Sequence, residues 1–570
     1  MNEACPPFAL DQYAAITCPV KTQNTFNPLA EAPGPIDADL VERFRETSSH
    51  RATVTQFLLD RHPRLVKDLR DLPPAEDRIE ACVTAMSESW PIIMGADLPI
   101  DWDKHRCGTA DLLFWDNQPG HPAYYPVIIK DHSVLALNAK GEGGTKIAWL
   151  RRPAKVHESR YRFRVEAHSD DLLQLAHLWY LLKAAGFAGP VAWGAVIGTD
   201  MSGKPHGCAV TWINLTEKLI RTFSYTSSHA WHRYTPIARY QHEHRFRVRV
   251  AERALQQTGS PDDPELVASP VRIAECESCE WWPQCRSSLS DDISLLIERS
   301  PLDAREIMSL RNLGISTIGD LAMSDIDALL PAYLPKVAHR AGAETRLRLA
   351  SHRGRLLSEG VMLERLGEDP IQLPAADVEI DMDLENSADN HSYLWGFLVH
   401  DRRSAEPPVY HPLHRFLAMT PARELELAME VATWLRTYIA GLDGASVLVW
   451  HYSAYEVAAL RRFARSARAP SDLDWLEEFA ADHFVDLLPV VREHFFGVEG
   501  LGLKAVATAG PGFTWRDPDP SGLNSQFWFA DAIHGPSSHA REAAKVRVLQ
   551  YNEDDVRATW TLRQWLRSLA

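Results

Sequence analysis

The run VEIDMDLENS, at 378–387, constrains this chain more than any other stretch. Asp381, Asp383 and Glu385 stand two apart, and side chains on a strand alternate, so all three project from one face. Carboxylates gathered on one face repel unless a cation neutralises them, and a pair of Mg2+ or Mn2+ ions favours such oxygen ligands. The plainer alternative is an exposed edge strand that happens to be acidic.

Two later segments extend the pattern. In VLVWHYSAYEVAAL an apolar strand ends at Trp450 and is followed by His451, Tyr452 and Glu456. Ligands in α/β folds commonly sit at strand ends. In YNEDDVRATWTL, Tyr551 and Asp555 are four apart and share one face of the expected helix. A tyrosine there can orient an attacking water while the aspartate ligates metal. Strands are expected at 378–384 and 393–399, a helix at 422–440 and a strand at 446–450, with helices to the end. This order is compatible with an RNase H-like α/β layer. A DxE on a strand, an acid after a later strand and YxxxD on a late helix resemble the DEDD exonuclease pattern with tyrosine in its last motif. That resemblance implies catalytic roles for Asp383, Glu385, Glu456, Tyr551 and Asp555, with Asp383, Glu385 and Asp555 holding Mg2+ or Mn2+. Glu456 stands where aspartate is usual, which keeps the charge and lengthens the reach by one methylene.

A length of 570 residues suggests roughly three domains. A Pro- and turn-rich stretch, GEDPIQLPAAD at 367–377, marks one boundary. The expected architecture is α/β and multidomain. It comprises a mixed α/β domain at 1–288, a helical linker domain at 289–372 and the α/β domain at 373–570. In the first domain, strands DLLFW (111–115) and PVIIK (126–130) precede a helix at 170–185. In the middle, LRNLGISTIGDLA (310–322) predicts two short helices around Gly314 and Gly319. Such a turn can offer backbone amides to phosphate, as helix-hairpin-helix motifs do; a plain helical linker is the alternative.

Eight cysteines in a chain this long are no disulfide framework. Cys276, Cys279 and Cys285, however, crowd together as C-x2-C-x5-C, and thiolates this close bind soft metals or clusters. Cys18 is the favoured fourth ligand and Cys5 the substitute. One early cysteine joined to three late ones resembles the [4Fe-4S] staple of RecB-like nucleases of the AddB group. Zinc is the alternative, although zinc sites more often pair two C-x2-C units.

RecB-like domains carry a PD-(D/E)xK core, and the resemblance implies its remains here. Asp111 in GTADLLFW and Lys130 in PVIIKDH match motif positions, Gln174 opens the usual QxxxY, and His50 matches the histidine of an earlier helix. Ile128 occupies the place of the motif carboxylate, and Leu178 that of the tyrosine. Glu166, Asp170 or Asp171 could replace the missing acid from the helix, but the expectation is a domain that binds nucleic acid without cutting it. Taken together, the chain resembles a family of RecB-like putative nucleases that fuse such a cluster-stapled domain to a YprB-like RNase H-fold exonuclease domain.

The net charge of −16 argues against indiscriminate nucleic-acid binding. Yet residues 140–255 hold 18 Lys/Arg against 9 Asp/Glu, a local +9 that leaves −25 for the rest. This basic region is a candidate nucleic-acid footprint, or else a solvated face. Arg245 and Arg247, in an aromatic-basic stretch, and Lys504 in GLGLKAVA are the expected nucleic-acid contacts. No apolar run approaches the ~20 residues that cross a bilayer. The N-terminus shows no basic start followed by an apolar stretch, so a cytoplasmic location is expected. No Walker A pattern is present, so any helicase motor comes from a separate chain. The expected activity is a 3′–5′ exonuclease of DNA repair or recombination. The alternatives are an RNA-processing exonuclease and a nucleic-acid-binding scaffold with decayed sites.

Overall fold

The computed structural model describes residues 7–34, 38–73, 76–116, 122–137, 144–153, 155–159, 163–165, 168–199, 208–226, 228–298, 302–466 and 471–569. Two compact units emerge. One holds 1–297, 301–317 and 325–348; the other holds 298–300, 318–324 and 349–570.

The first unit begins with α1 (Pro19–Phe26), α2 (Ala38–Arg61), β1 (Val66–Asp68) and α3 (Glu76–Ser87). Strands β2 (Ile92–Asp101), β3 (Arg106–Trp115) and β4 (Tyr124–Ile129) follow as an antiparallel meander. Short strands β5 (Leu135–Leu137), β6 (Lys146–Trp149), β7 (His157–Glu158) and β8 (Phe163–Val165) lead to α4 (Ser169–Ala184). After it come β9 (Trp193–Ile197), β10 (Ala209–Asn214), the hairpin of β11 (Ile220–Ser224) and β12 (Ala230–Tyr234), then α5 (Pro236–Leu255) and α6 (Trp282–Leu289). The main sheet runs β1-β2-β3-β4-β9-β10-β6-β7, with β4 and β9 parallel.

Alternation in the central strands divides their apolar side chains between two layers. Ile93, Leu113, Ile128 and Val196 join the core that holds Leu172, Leu175 and Leu178 of α4. Ile92, Met94, Leu112, Val127 and Ile129 join Val54 and Leu58 of α2. Strands covered on both faces read as continuous apolar runs, as PVIIK does.

The helical stretch contains α7 (Ala304–Arg311), α8 (Ile318–Met323), α9 (Ile326–Tyr333) and α10 (Ala343–Ser358). Its residues are shared between the two units, with α8 and the latter part of α10 in the second. Gly314 takes φ +85 just after α7, a left-handed conformation that favours glycine. Gly319, expected at the turn, lies inside α8 instead.

The second unit is built on β14 (Val378–Asn386), β15 (Ser392–Asp401) and β16 (Val409–His414), preceded by the short β13 (Leu363–Arg365). Next come α11 (Pro421–Ala440), β17 (Val447–His451), α12 (Tyr455–Ser466), α13 (Asp472–His483), β18 (Phe484–Asp486), α14 (Leu487–His494) and β19 (Phe495–Gly497). Three helices close the chain: α15 (Leu503–Ala509), α16 (Gly522–His534) and α17 (Ser538–Ser568). Sheet order is β16-β15-β14-β17-β18, antiparallel up to β14 and parallel beyond it.

Here β14 is central, and its two faces differ completely. Ile380, Met382 and Leu384 pack with Leu427 and Val431 of α11, Leu460 of α12 and Leu473 of α13. The alternate residues Glu379, Asp381, Asp383 and Glu385 meet partners on α16 and α17. Among the described residues, no helix is long and apolar enough to cross a membrane.

Candidate functional site

The acidic face of β14 is divided by one arginine. Arg563 of α17, fully buried, places Nη2 2.6 Å from Asp381 Oδ2 and Nε 3.2 Å from its Oδ1, and also pairs with Glu379. Arg567 reaches Glu379 at 2.8 Å. Asp381 was expected to share a cation with its neighbours, and the structure corrects this: a guanidinium fork already supplies its counter-charge. Burial nevertheless pushes the Asp381 carboxyl up to about 6, with Arg563 opposing.

Among the described residues no arginine pairs with Asp383, Glu385 or Asp555, and of the three Asp555 alone faces a cation, Lys504, at 3.5 Å. One oxygen from each lies within 4.8 Å of the others, half-buried for Asp383 and buried for the other two. Neutral donors fix them. Asn552 Nδ2 donates to Asp383 Oδ2 at 2.7 Å, and its own Oδ1 accepts from Tyr410 at 2.7 Å. Ser525 Oγ donates to Glu385 at 2.6 Å and Trp515 Nε1 to Asp555 at 2.7 Å. Lys504 Nζ donates to the Tyr551 hydroxyl at 2.8 Å and lies 3.5 Å from Asp555.

Electrostatics confirm the crowding. Burial, then the charges of Asp555, Glu385 and Glu456, hold the Asp383 carboxyl well above the usual range. Glu385 and Asp555 are raised too, by burial first. Burial and these carboxylates also raise the Tyr551 hydroxyl, keeping it protonated. An all-oxygen cluster whose charges oppose one another suits a hard divalent cation.

Glu456 stands apart from the three. It is buried in the first turn of α12, with Oε2 3.4 Å from His451 Nδ1 and accepting no hydrogen bond from the described residues. Burial pulls the His451 pKa down, but Glu456, the Ser453 carbonyl and Asp486 together raise it, and the net shift is upward. Tyr452 turns away and donates to Leu501 O at 2.6 Å.

In the first unit, Cys18, Cys276, Cys279 and Cys285 line one pocket. Cys18 caps α1, whose N1 position is Pro19, and its amide donates to Glu275 at 2.9 Å. Cys285 is pushed up to about 11 by burial and by the three other thiols. Among the described residues, no three of these sulfurs lie within 4.8 Å of one another. Cys5 falls outside the described residues.

Of the other expected residues, Asp111 lies within reach of the Lys130 charge. Asp111 pairs with Arg51 at 3.1 Å and accepts from the Ile129 amide at 2.8 Å. Lys130 Nζ lies 3.3 Å from Asp171, one of the three acids considered as replacements; Asp170 is exposed and Glu166 is outside the described residues. Gln174 is buried within α4, and Leu178 is fully buried in its core. Among the described residues, the buried His50 Nε2 has no hydrogen-bond partner. Arg245 is exposed, but Arg247 corrects the expectation of a phosphate contact. It is 6% exposed and donates to Thr17 O at 2.6 Å, because α5 uses it to brace the turn before Cys18.

Sequence reasoning missed Asn552, Ser525, Trp515 and Tyr410. For Asn552 a signal existed, since it precedes Asp555 by three on one helix face. The others come from distant segments and carried none.

A family model of the RNase H superfamily matches residues 379–567, which span the sheet, the carboxylate cluster and α17. No curated protein and no solved structure matches the chain. The C-terminal domain is therefore RNase H-like, which suggests a nuclease-type function.

Proposed function

We propose that the chain is a metal-dependent nuclease that cuts nucleic acid through its C-terminal domain, as a 3′–5′ exonuclease of DNA repair or recombination. The observation that carries this reading is the convergence of Asp383, Glu385 and Asp555, from β14 and α17, in a domain matched by the RNase H superfamily. Mg2+ or Mn2+, held by these three, would supply the Lewis acidity that activates water and steadies the leaving oxygen. The protein's own groups do the rest. Asn552, Ser525 and Trp515 fix the three carboxylates in place by their hydrogen bonds. The Tyr551 hydroxyl, pinned by Lys504, orients the attacking water. Glu456 adds negative charge facing Asp383.

The N-terminal unit, in this reading, is the RecB-like domain, stapled by an iron–sulfur cluster and engaged mainly in binding. Four thiols around one pocket support it. Zinc held by the same thiols is the alternative.

The test is cleavage of end-labelled single-stranded DNA, duplex DNA and RNA by the wild type and by Asp383→Asn. Asp383→Asn keeps the shape and removes a central charge, so nearly all Mg2+- or Mn2+-dependent cleavage should vanish while the circular dichroism is unchanged. Full cleavage by a folded Asp383→Asn would move the chemistry elsewhere in the chain. Preference for RNA ends would replace repair by RNA processing.

A further inference from the structure

We propose that the first unit carries its own metal site, formed by His132, His168 and Asp171 and suited to Zn2+. It is independent of the carboxylate cluster in the second unit and of the cysteines. One nitrogen from each histidine and one oxygen of Asp171 lie within 4.8 Å of one another. Two imidazoles and a carboxylate are a borderline-soft donor set that prefers Zn2+ to Mg2+, and three protein ligands leave a position open.

The chain builds this place deliberately. Ile128 and Lys130 are two apart at the end of β4, and Ile128 is buried in the core against α4. An acid at Ile128 would thus have pointed toward α4, and Asp171, in the first turn of α4, supplies the charge from the other side. Asp171 is 2% exposed, too buried to carry charge without partners. It has two, Lys130 Nζ at 3.3 Å and His132 Nε2 at 2.8 Å.

Binding would replace one hydrogen bond. His132 Nε2 now donates to Asp171; moving that proton to Nδ1 frees the nitrogen as a ligand. The His168 ring lies stacked on His132, 4.1 Å between centroids and 6° from parallel. Two parallel rings cannot both hold one ion in their planes, so His168, which is exposed, must turn. Arg51 and Lys130 already balance Asp111 and Asp171, so a bound dication leaves a positive centre whose natural further ligand is a phosphate oxygen, with Lys130 beside it.

The test uses the full-length protein in the Asp383→Asn background, which weakens the competing carboxylate cluster, with its cysteine centre as isolated. Co2+ serves as a spectroscopic stand-in for Zn2+. One equivalent should bind with visible d–d absorption and without new thiolate charge-transfer bands. His168→Asn alters an exposed side chain and should leave the fold intact. It should weaken this Co2+ binding by about tenfold or more, since even outer partners of metal ligands are worth that much. Asp171→Asn should do the same, and Zn2+ should tighten oligonucleotide binding in the parent but not in His168→Asn. Co2+ stoichiometry and spectrum unchanged in His168→Asn would overturn the site.

Discussion

The amide of Asn552 donates to Asp383 at 2.7 Å, and Gly396 on β15 makes room for it: a Cβ there would stand 1.8 Å from Asn552 Oδ1. Gly396→Ala must therefore push Asn552 off Asp383. Overpacking of this kind costs about 1–3 kcal/mol. We expect a lower Tm and slower cleavage together, with the Tm but not the cleavage partly restored by Asn552→Ala in the same chain. A Gly396→Ala protein with normal Tm and kcat would show that Asn552 does not govern Asp383.

Arg563 is the counter-ion of two buried acids, Glu379 and Asp381. Removing one partner of a buried pair strands the other, at roughly 3–5 kcal/mol. Arg563→Met should destabilise the second unit by that order in urea titrations. Asp381→Asn placed on top of it should recover part of the loss. If Arg563→Met alone matched the wild type, the network would be dispensable for stability.

His177 is fully buried with both ring nitrogens engaged, Nε2 donating to Cys107 O at 2.9 Å and Nδ1 accepting from Tyr240 at 2.8 Å. Burial lowers its pKa to about 3, and that of His244 to about 4. Below the ordinary histidine value the unfolded chain takes up protons that the folded unit refuses. Stability is therefore complete at neutral pH and is lost as pH falls from the unfolded value toward the folded one. For His177 alone the loss at pH 5 is about 2 kcal/mol. Thermal melts at pH 7 and pH 5 should show it, and His177→Gln should flatten the difference. A pH-independent Tm across that window would contradict a neutral, buried His177.

Cys279→Ser removes one of four thiols around the pocket. The purified wild type should carry iron and acid-labile sulfide, and the variant should lose both. Because Cys18 and the late triplet lie more than 250 residues apart, the variant should also be cleaved more readily by protease within the first unit. Stoichiometric zinc without iron in an anaerobic preparation would refute the cluster.

Much of the C-terminal site was legible in the sequence because its signals are local. The period of two in VEIDMDLENS gives β14 an acidic face, and the spacing of Tyr551 and Asp555 gives α17 a shared one. The first unit was harder to read. Asp171 could be named only as one of three acids, since its nearness to Lys130 depends on how α4 crosses β4 and not on any spacing along the chain. Arg247 misled for a similar reason. In a basic, aromatic stretch it resembles a phosphate contact, but the 3.6-residue period of α5 turns it inward while Arg245 stays outside.

By itself, then, the sequence determined the strand with alternating acids, the helix bearing Tyr551 and Asp555 and the grouping of three late cysteines, all consequences of backbone periodicity over a few residues. Only the tertiary structure decided which acids are free. Asp381 and Asp383 are the same residue type two positions apart on one face, and no local rule separates them. Arg563, 182 residues later, neutralises the first; Asn552, 169 residues later, offers the second only a neutral amide. Charge compensation is a short-range matter in space and has no fixed range in sequence, so the division between a carboxylate held in an ion pair and one free to take a metal exists only once α17 lies across β14.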